Sequence, residues 1–185
     1  MSPSSGRLPG VPDPSYVAVD VQYHSDGTAS AARVTYSDLR FSDLTECAVV
    51  DVPEALPYVP GAFFERELPA LRPLIDARPW PDLLVIDGYV DLDPDGRPGL
   101  GAHVHEAYPI PVIGVAKTAF RAATHAIPVT RGESAKPLLV TAIGLDRARA
   151  ADLVAGMVGR YRMPDALRLV DALARRNITP AEAAR

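Results

Sequence analysis

Apolar and polar positions divide the chain into strands first and helices last. Tyr16–Tyr23 and Thr28–Tyr36 are β-rich runs joined through Ser25-Asp26-Gly27, and Asp-Gly between two such runs predicts a hairpin. Leu44–Val52 extends the pair into an antiparallel meander. From Ala62 to Ala77, the residues Phe64, Leu68, Leu71, Leu74 and Ile75 fall close to helical spacing. Pro69 and Pro73 interrupt that pattern, so the expected helix either begins near Glu67 or is kinked. Asp82–Asp87 and Pro111–Ala116 are short apolar runs of the kind buried in parallel sheets, and Lys136–Ile143 predicts a further sheet segment. Two helices follow, one capped by Asp146 and running to about Tyr161, the other from Pro164-Asp165 to about Arg176. Thr179-Pro180-Ala181-Glu182 has the form of a capping box with proline at N1.

Meander, helix, parallel strands and flanking helices make an α/β domain with a mixed sheet. At 185 residues the chain suits one domain with one core. The expected organisation is a disordered, proline- and glycine-rich leader over 1–15, a single domain over 16–178, and a tail over 179–185. The leader has no basic segment followed by an apolar one, so it does not read as a signal peptide. The longest apolar stretch, Leu138–Leu145, is far too short to span a bilayer. Cys47 has no partner for an internal disulfide and reads as a small buried hydrophobe in the third strand. Together these predict a cytoplasmic protein with no membrane partner.

Charge changes the picture by its distribution. The net charge is −4, but residues 1–116 carry 7 basic and 17 acidic side chains, whereas residues 117–185 carry 12 basic and 6 acidic. An acidic half suits cations and a basic half suits phosphates, although two solvated surfaces would give the same count.

Three carboxylates stand in unusual company. Asp20 lies within Tyr-Val-Ala-Val-Asp-Val-Gln-Tyr, Glu67 within Phe-Phe-Glu-Arg-Glu-Leu, and Asp87 ends Leu-Leu-Val-Ile-Asp-Gly. A charge inside an apolar strand is costly unless paired, and a divalent cation can pair several acids at once. Taken singly, Asp87 could be a turn former before Gly88, and Glu67 or Asp171 an exposed helix residue.

Two more segments, Pro57-Tyr58-Val59-Pro60-Gly61 and Pro111-Val112-Ile113-Gly114-Val115-Ala116-Lys117, complete an ordered set. In this order the segments resemble the endonuclease V family, metal-dependent nucleases that nick nucleic acid near deaminated purines. The resemblance runs from about Tyr16 to Arg175. It implies a ribonuclease H-like fold, with the first strand central and beside the strand ending at Asp87. It also implies Mg²⁺, with Mn²⁺ as a substitute, held by Asp20, Glu67 and Asp87. Asp171, closing the run from Arg162 to Asp171, takes the family's fourth acidic or histidine position. Lys117 is implied as the cation at the scissile phosphate, and Tyr58 as the wedge that fills the stack when a base is extruded. Gly61, Gly88 and Val90 are implied beside the extruded base. The implied function is a DNA-repair endonuclease nicking DNA near deaminated bases such as inosine, with RNA left open as a substrate.

The loop Asp87–Arg97 departs from the family pattern. Val90 stands where the family has glycine and Asp93 stands near its histidine, and Thr141-Ala142-Ile143-Gly144 also differs from the family segment. These departures give an alternative: a nucleic-acid-binding family member with reduced or altered cleavage specificity. Val90, being β-branched, is expected to narrow the base pocket. His103 matches a family position and equally suits a structural role. Asp91, Asp93, Asp95 and Gly96 imitate the start of a calcium loop, but Ala102 stands at the position that needs a bidentate Glu. His103 and His105 lack the companions of a zinc site, and Ser134 lacks a nucleophile elbow.

Overall fold

The computed structural model describes residues 13–57, 59, 63–76 and 79–184. The first two strands, β1 (Tyr16–Tyr23) and β2 (Ala29–Tyr36), form the expected hairpin, with Gly27 at φ +86° in its turn and Asp26 accepting from the Thr28 amide. The third, β3 (Leu44–Val52), pairs antiparallel with β2. As an edge strand with a single sheet neighbour, it leaves Cys47 half-buried rather than enclosed as expected.

Helix α1 (Phe63–Ile75) runs through both prolines and begins four residues before Glu67. Pro69 and Pro73, spaced i and i+4, both lie on its exposed face. The prolines thus sit away from the core, while Leu71, Leu74 and Ile75 bury the opposite face.

Strand β4 (Leu83–Asp87), helix α2 (Leu100–Ala107) and strand β5 (Val112–Ala116) form a crossover unit, followed by β6 (Ile127–Val129) and β7 (Leu138–Ile143). Then come α3 (Arg147–Gly156), α4 (Asp165–Ala174) and the short α5 (Pro180–Ala183). The strand order is β3-β2-β1-β4-β5-β7-β6, with β1, β4 and β5 parallel and the other pairings antiparallel. This is the expected mixed, ribonuclease H-like sheet, with β1 central.

Because strand side chains alternate, each face of the sheet has its own core. Ala18, Val85, Ile113 and Val115 pack beneath α3 and α4. Val17, Val19, Leu84 and Ile86 pack beneath α1 and α2.

Helix α3 stops at Gly156, five residues short of Tyr161, and its end is fixed from a distance. The guanidinium of the buried Arg131 donates to the carbonyls of Val154 (2.6 Å), Met157 (2.8 Å) and Gly159 (3.0 Å), which closes the helix end. The capping box is present, with the Glu182 carboxylate accepting from the Thr179 amide at 2.8 Å. Helix α5 lies in the segment expected to be a tail, where Ala183 packs against the core beneath α3 and α4. Of the expected leader, residues 1–12 fall outside the described residues, and Ser15 is tied to Asp82 by two backbone-anchored hydrogen bonds. No described helix is long and apolar enough to cross a membrane.

Candidate active site

Parallel register creates the centre of the site. Val19 of β1 pairs with Ile86 of β4, so Asp20 and Asp87, the next residues on each strand, are neighbours at the strands' carboxyl ends. Their parity with Ala18 and Val85 directs both toward the side covered by α4. Lys117 follows β5 with the same parity as Val115, and its Nζ lies 2.6 Å from Asp87 Oδ2. Asp171 approaches from α4 and pairs with Arg175 at 3.0 Å.

Glu67 comes from the opposite face of the sheet. It is 6% exposed on α1, a depth at which a carboxylate needs compensation. Burial first, with the Asp20 and Asp87 charges adding, pushes its pKa up to about 8 against the opposing influence of Tyr23 and Arg66. Asp20 is raised to about 7, chiefly by burial and next by the charge of Asp87. Its Oδ1 accepts from the Val21 amide at 2.9 Å, which offsets only part of that cost. For Lys117, burial works against the charged form, but the hydrogen bond and charge of Asp87, helped by Asp20 and Asp171, hold the ammonium above its usual pKa. The acids thus share one strained electrostatic environment in which Lys117 is the cation paired directly with Asp87.

These groups fit a divalent cation by their chemistry, being hard oxygen donors crowded enough to resist ionisation together. Among the described residues, no three acids or histidines converge as a ready-made metal cage.

Two glycines let backbone come this close. Gly88 has φ +137°, a region that side chains rarely adopt. At Gly114, an added Cβ would stand 2.7 Å from the Gly88 carbonyl and 2.8 Å from Thr141 Oγ1, so only glycine lets the Asp-Gly turn lie on β5.

Beside that turn is a cavity of about 310 Å³ whose lining includes Phe64, Gly88, Tyr89, Arg97, Leu100 and Phe120. The Tyr89 hydroxyl donates to the Thr118 carbonyl at 2.8 Å and accepts from the Phe120 amide at 3.0 Å, joining the loops after Asp87 and Lys117. Val90, expected to narrow this space, has no part in it. Its side chain is 0% exposed and belongs to the core with Ile86, Leu100 and Val104, while its amide donates to Thr141 Oγ1 at 2.8 Å. Tyr58 and Gly61 lie outside the described residues.

His103 stacks on Phe64 with ring centroids 3.6 Å apart, a structural contact, and the calcium-like loop is a tight turn in which Asp93 accepts from the Arg97 amide. Tyr23 and Arg66 were not anticipated. Arg66 lies 3.3 Å over the Tyr23 ring, and burial, with the neighbouring Glu67 charge adding, pushes the Tyr23 hydroxyl's pKa up. The only signal for Tyr23 was its place at the end of the strand that carries Asp20.

A mixed sheet of this order, with acids gathered at the ends of its central parallel strands, defines a ribonuclease H-like domain. The endonuclease V family model matches residues 10–146. An endonuclease V from Azotobacter vinelandii is 34% identical over 89% of this chain and 84% of its own length. The crystal structure of endonuclease V from Streptomyces avermitilis superposes with a TM-score of 0.73 at 30% identity, covering 94% of this chain and 86% of that one. The chain belongs to the endonuclease V family. A Ciona intestinalis endonuclease V, solved with a 23-mer DNA containing inosine followed by a ribo-adenosine, shares the fold with a TM-score of 0.71 at 19% identity, covering 88% of this chain and 84% of that one.

Proposed function

We propose that this protein is a divalent-metal-dependent endonuclease of DNA repair that nicks DNA near deaminated bases, inosine in particular. The observation that carries the reading is the register that sets Asp20 beside Asp87, with Lys117 paired to Asp87 and Glu67 buried behind them. Asp20, Glu67 and Asp87 would hold Mg²⁺, or Mn²⁺ in its place, and Asp171 stands near enough to add to the field at Asp20. A bound metal would supply an activated water and charge stabilisation at the leaving oxygen.

The chain's own groups do the rest. Lys117, held charged by the acids around it, presents a fixed cation where a phosphate's negative charge would increase. Asp87 orients that ammonium at 2.6 Å. Burial of Glu67 and Asp20 keeps their environment low in dielectric, which strengthens each electrostatic contact made there. The cavity beside Gly88 has walls of Phe64, Tyr89 and Phe120, flat surfaces suited to an extruded base. Its relatives support the substrate class: they are endonucleases V, and one was solved on inosine-containing DNA. The cytoplasm is the proposed compartment, supported by the single free cysteine.

Two observations favour a second reading, a nucleic-acid-binding member with reduced or altered cleavage. Lys117 already takes an Asp87 oxygen, and no three described acids converge. Nicking of matched inosine and adenine duplexes, with Mg²⁺ or with EDTA, decides between them. The endonuclease cuts the inosine strand in Mg²⁺ alone. Binding without nicking in Mg²⁺ or Mn²⁺ supports the second reading, and equal cutting of both duplexes contradicts inosine selectivity.

A further inference from the structure

The basic half of the chain collects beside the proposed cleavage centre in a particular way. Next to Lys117 is a cavity of about 440 Å³ that also takes in Lys136 and Arg162. It adjoins a second, of about 540 Å³, with Arg160, Tyr161 and Arg168 in its wall, and Arg162 belongs to both. Tyr161 is 48% exposed, and its ring has two guanidiniums over it, Arg160 at 4.9 Å and Arg168 at 4.7 Å. Both distances are within cation–π range, so one ring gathers two like charges. Asp165, 3.3 Å from Arg168, offsets one of them, and Glu133 is the acid in the same wall.

The segment bearing this pair is held at several points. Arg131 donates to the Met157 and Gly159 carbonyls, and the Val158 amide donates to the Arg40 carbonyl at 2.8 Å. Arg162 donates to the carbonyls of Pro137 (2.8 Å) and of Lys117 itself. Arg162, two residues after Arg160 and six before Arg168, is thus fastened to the backbone of the residue that pairs with Asp87. A rigid array of cations leading away from a phosphodiester-cleaving centre complements one partner, a nucleic-acid backbone. Planar guanidiniums suit its phosphates through bidentate hydrogen bonds.

We infer that Arg160 and Arg168, held over the Tyr161 ring, form a phosphate clamp that binds the substrate strand to one side of the scissile phosphate, with Lys136 and Arg162 between clamp and cleavage centre. This rests on the nuclease reading only for the strand's direction, because binding by the clamp needs no metal.

The test is fluorescence anisotropy of the full chain with labelled single-stranded and duplex DNA, in EDTA, across a range of salt concentrations. Each phosphate contact contributes about 0.7–0.9 to the slope of log affinity against log salt. The double variant Arg160→Gln/Arg168→Gln should lose about 1.4–1.8 of that slope and bind at least tenfold more weakly at low salt. Arg160→Lys/Arg168→Lys should keep the slope and still lose severalfold in affinity, because lysine keeps the charge without the fork. Tyr161→Leu should behave as the lysine pair does. Parental slope and affinity in the glutamine variant overturn the clamp, as does a parent that binds neither DNA, or one that binds polyglutamate as well as DNA. A parent that loses its slope in the glutamine variant but nicks nothing in any metal keeps the clamp and sinks the nuclease reading. Normal nicking and binding by the glutamine variant do the reverse.

Discussion

Lys117 Nζ lies 2.6 Å from Asp87 Oδ2, each side chain about one-third exposed, at the point where β4 and β5 release their last residues. The pair joins the only lysine of the acid-rich strand ends to an acid that the register has placed beside Asp20. Lys117→Met should therefore fold and bind DNA in EDTA within a fewfold of the parent. Its single-turnover nicking should fall about 100-fold or more, the scale of removing one preorganised charge from a reaction centre. Unchanged nicking would mean that Lys117 serves only as a salt bridge.

Asp20 and Glu67 give a pH signature in the metal-free protein. Both have folded pKa values raised above their ordinary ones, to about 7 and about 8. The folded state then holds protons that the unfolded chain has released, so stability is greatest below about pH 4 on this account and falls as pH rises toward 8. Asp20→Asn removes one of the two titrations. In EDTA its thermal melting should exceed the parent's at pH 8, with the gap closing toward pH 4. A constant gap, or a lower melting point at pH 8, would contradict the raised Asp20 pKa.

Val90→Gly separates a pocket role from a core role. Loss of a fully buried valine in favour of the most flexible residue should cost roughly 2–4 kcal/mol, lowering Tm by about 5–15 °C for a chain of this length. Inosine preference should not improve. A stable variant with sharper base selectivity would return Val90 to the pocket wall.

Tyr89→Phe keeps the ring in the cavity wall and removes the hydroxyl that joins Thr118 to Phe120. Preference for inosine over adenine should fall severalfold, mainly through KM, with Tm shifted by only a few degrees. Equal effects on both substrates would assign Tyr89 to general stability.

The sequence made the central strands and their acids readable because an acid at the end of an apolar run is costly without a purpose. Asp20, Glu67 and Asp87 were visible in that way, whereas Lys117 was singled out by the resemblance of its segment to the family's. Other features depend on distant residues. Helix α3 ends where Arg131, more than twenty residues upstream, takes its carbonyls. Helix α2 follows Gly99, contains Gly101 and spans only eight residues, so its pattern was too short to read. Strand β6 is three residues long and contains Pro128, acceptable on an edge strand but a poor advertisement for one. Val90 was placed beside the base by the family resemblance alone, and position in a motif does not show that a side chain turns into the core with Ile86 and Val104. Thr141, on β7, fixes its amide from across the sheet. The Tyr89 link is likewise a contact between loops far apart in sequence.

The most direct test of the account is single-turnover nicking of an inosine-containing duplex in Mg²⁺ by the parent and by Asp20→Asn, with enzyme in excess over a labelled strand. The amide fills the same volume and is a poor ligand for a hard cation, so fold and DNA binding should persist while the rate falls at least 100-fold. Nicking by Asp20→Asn within twofold of the parent would contradict a metal centre built on Asp20 and Asp87.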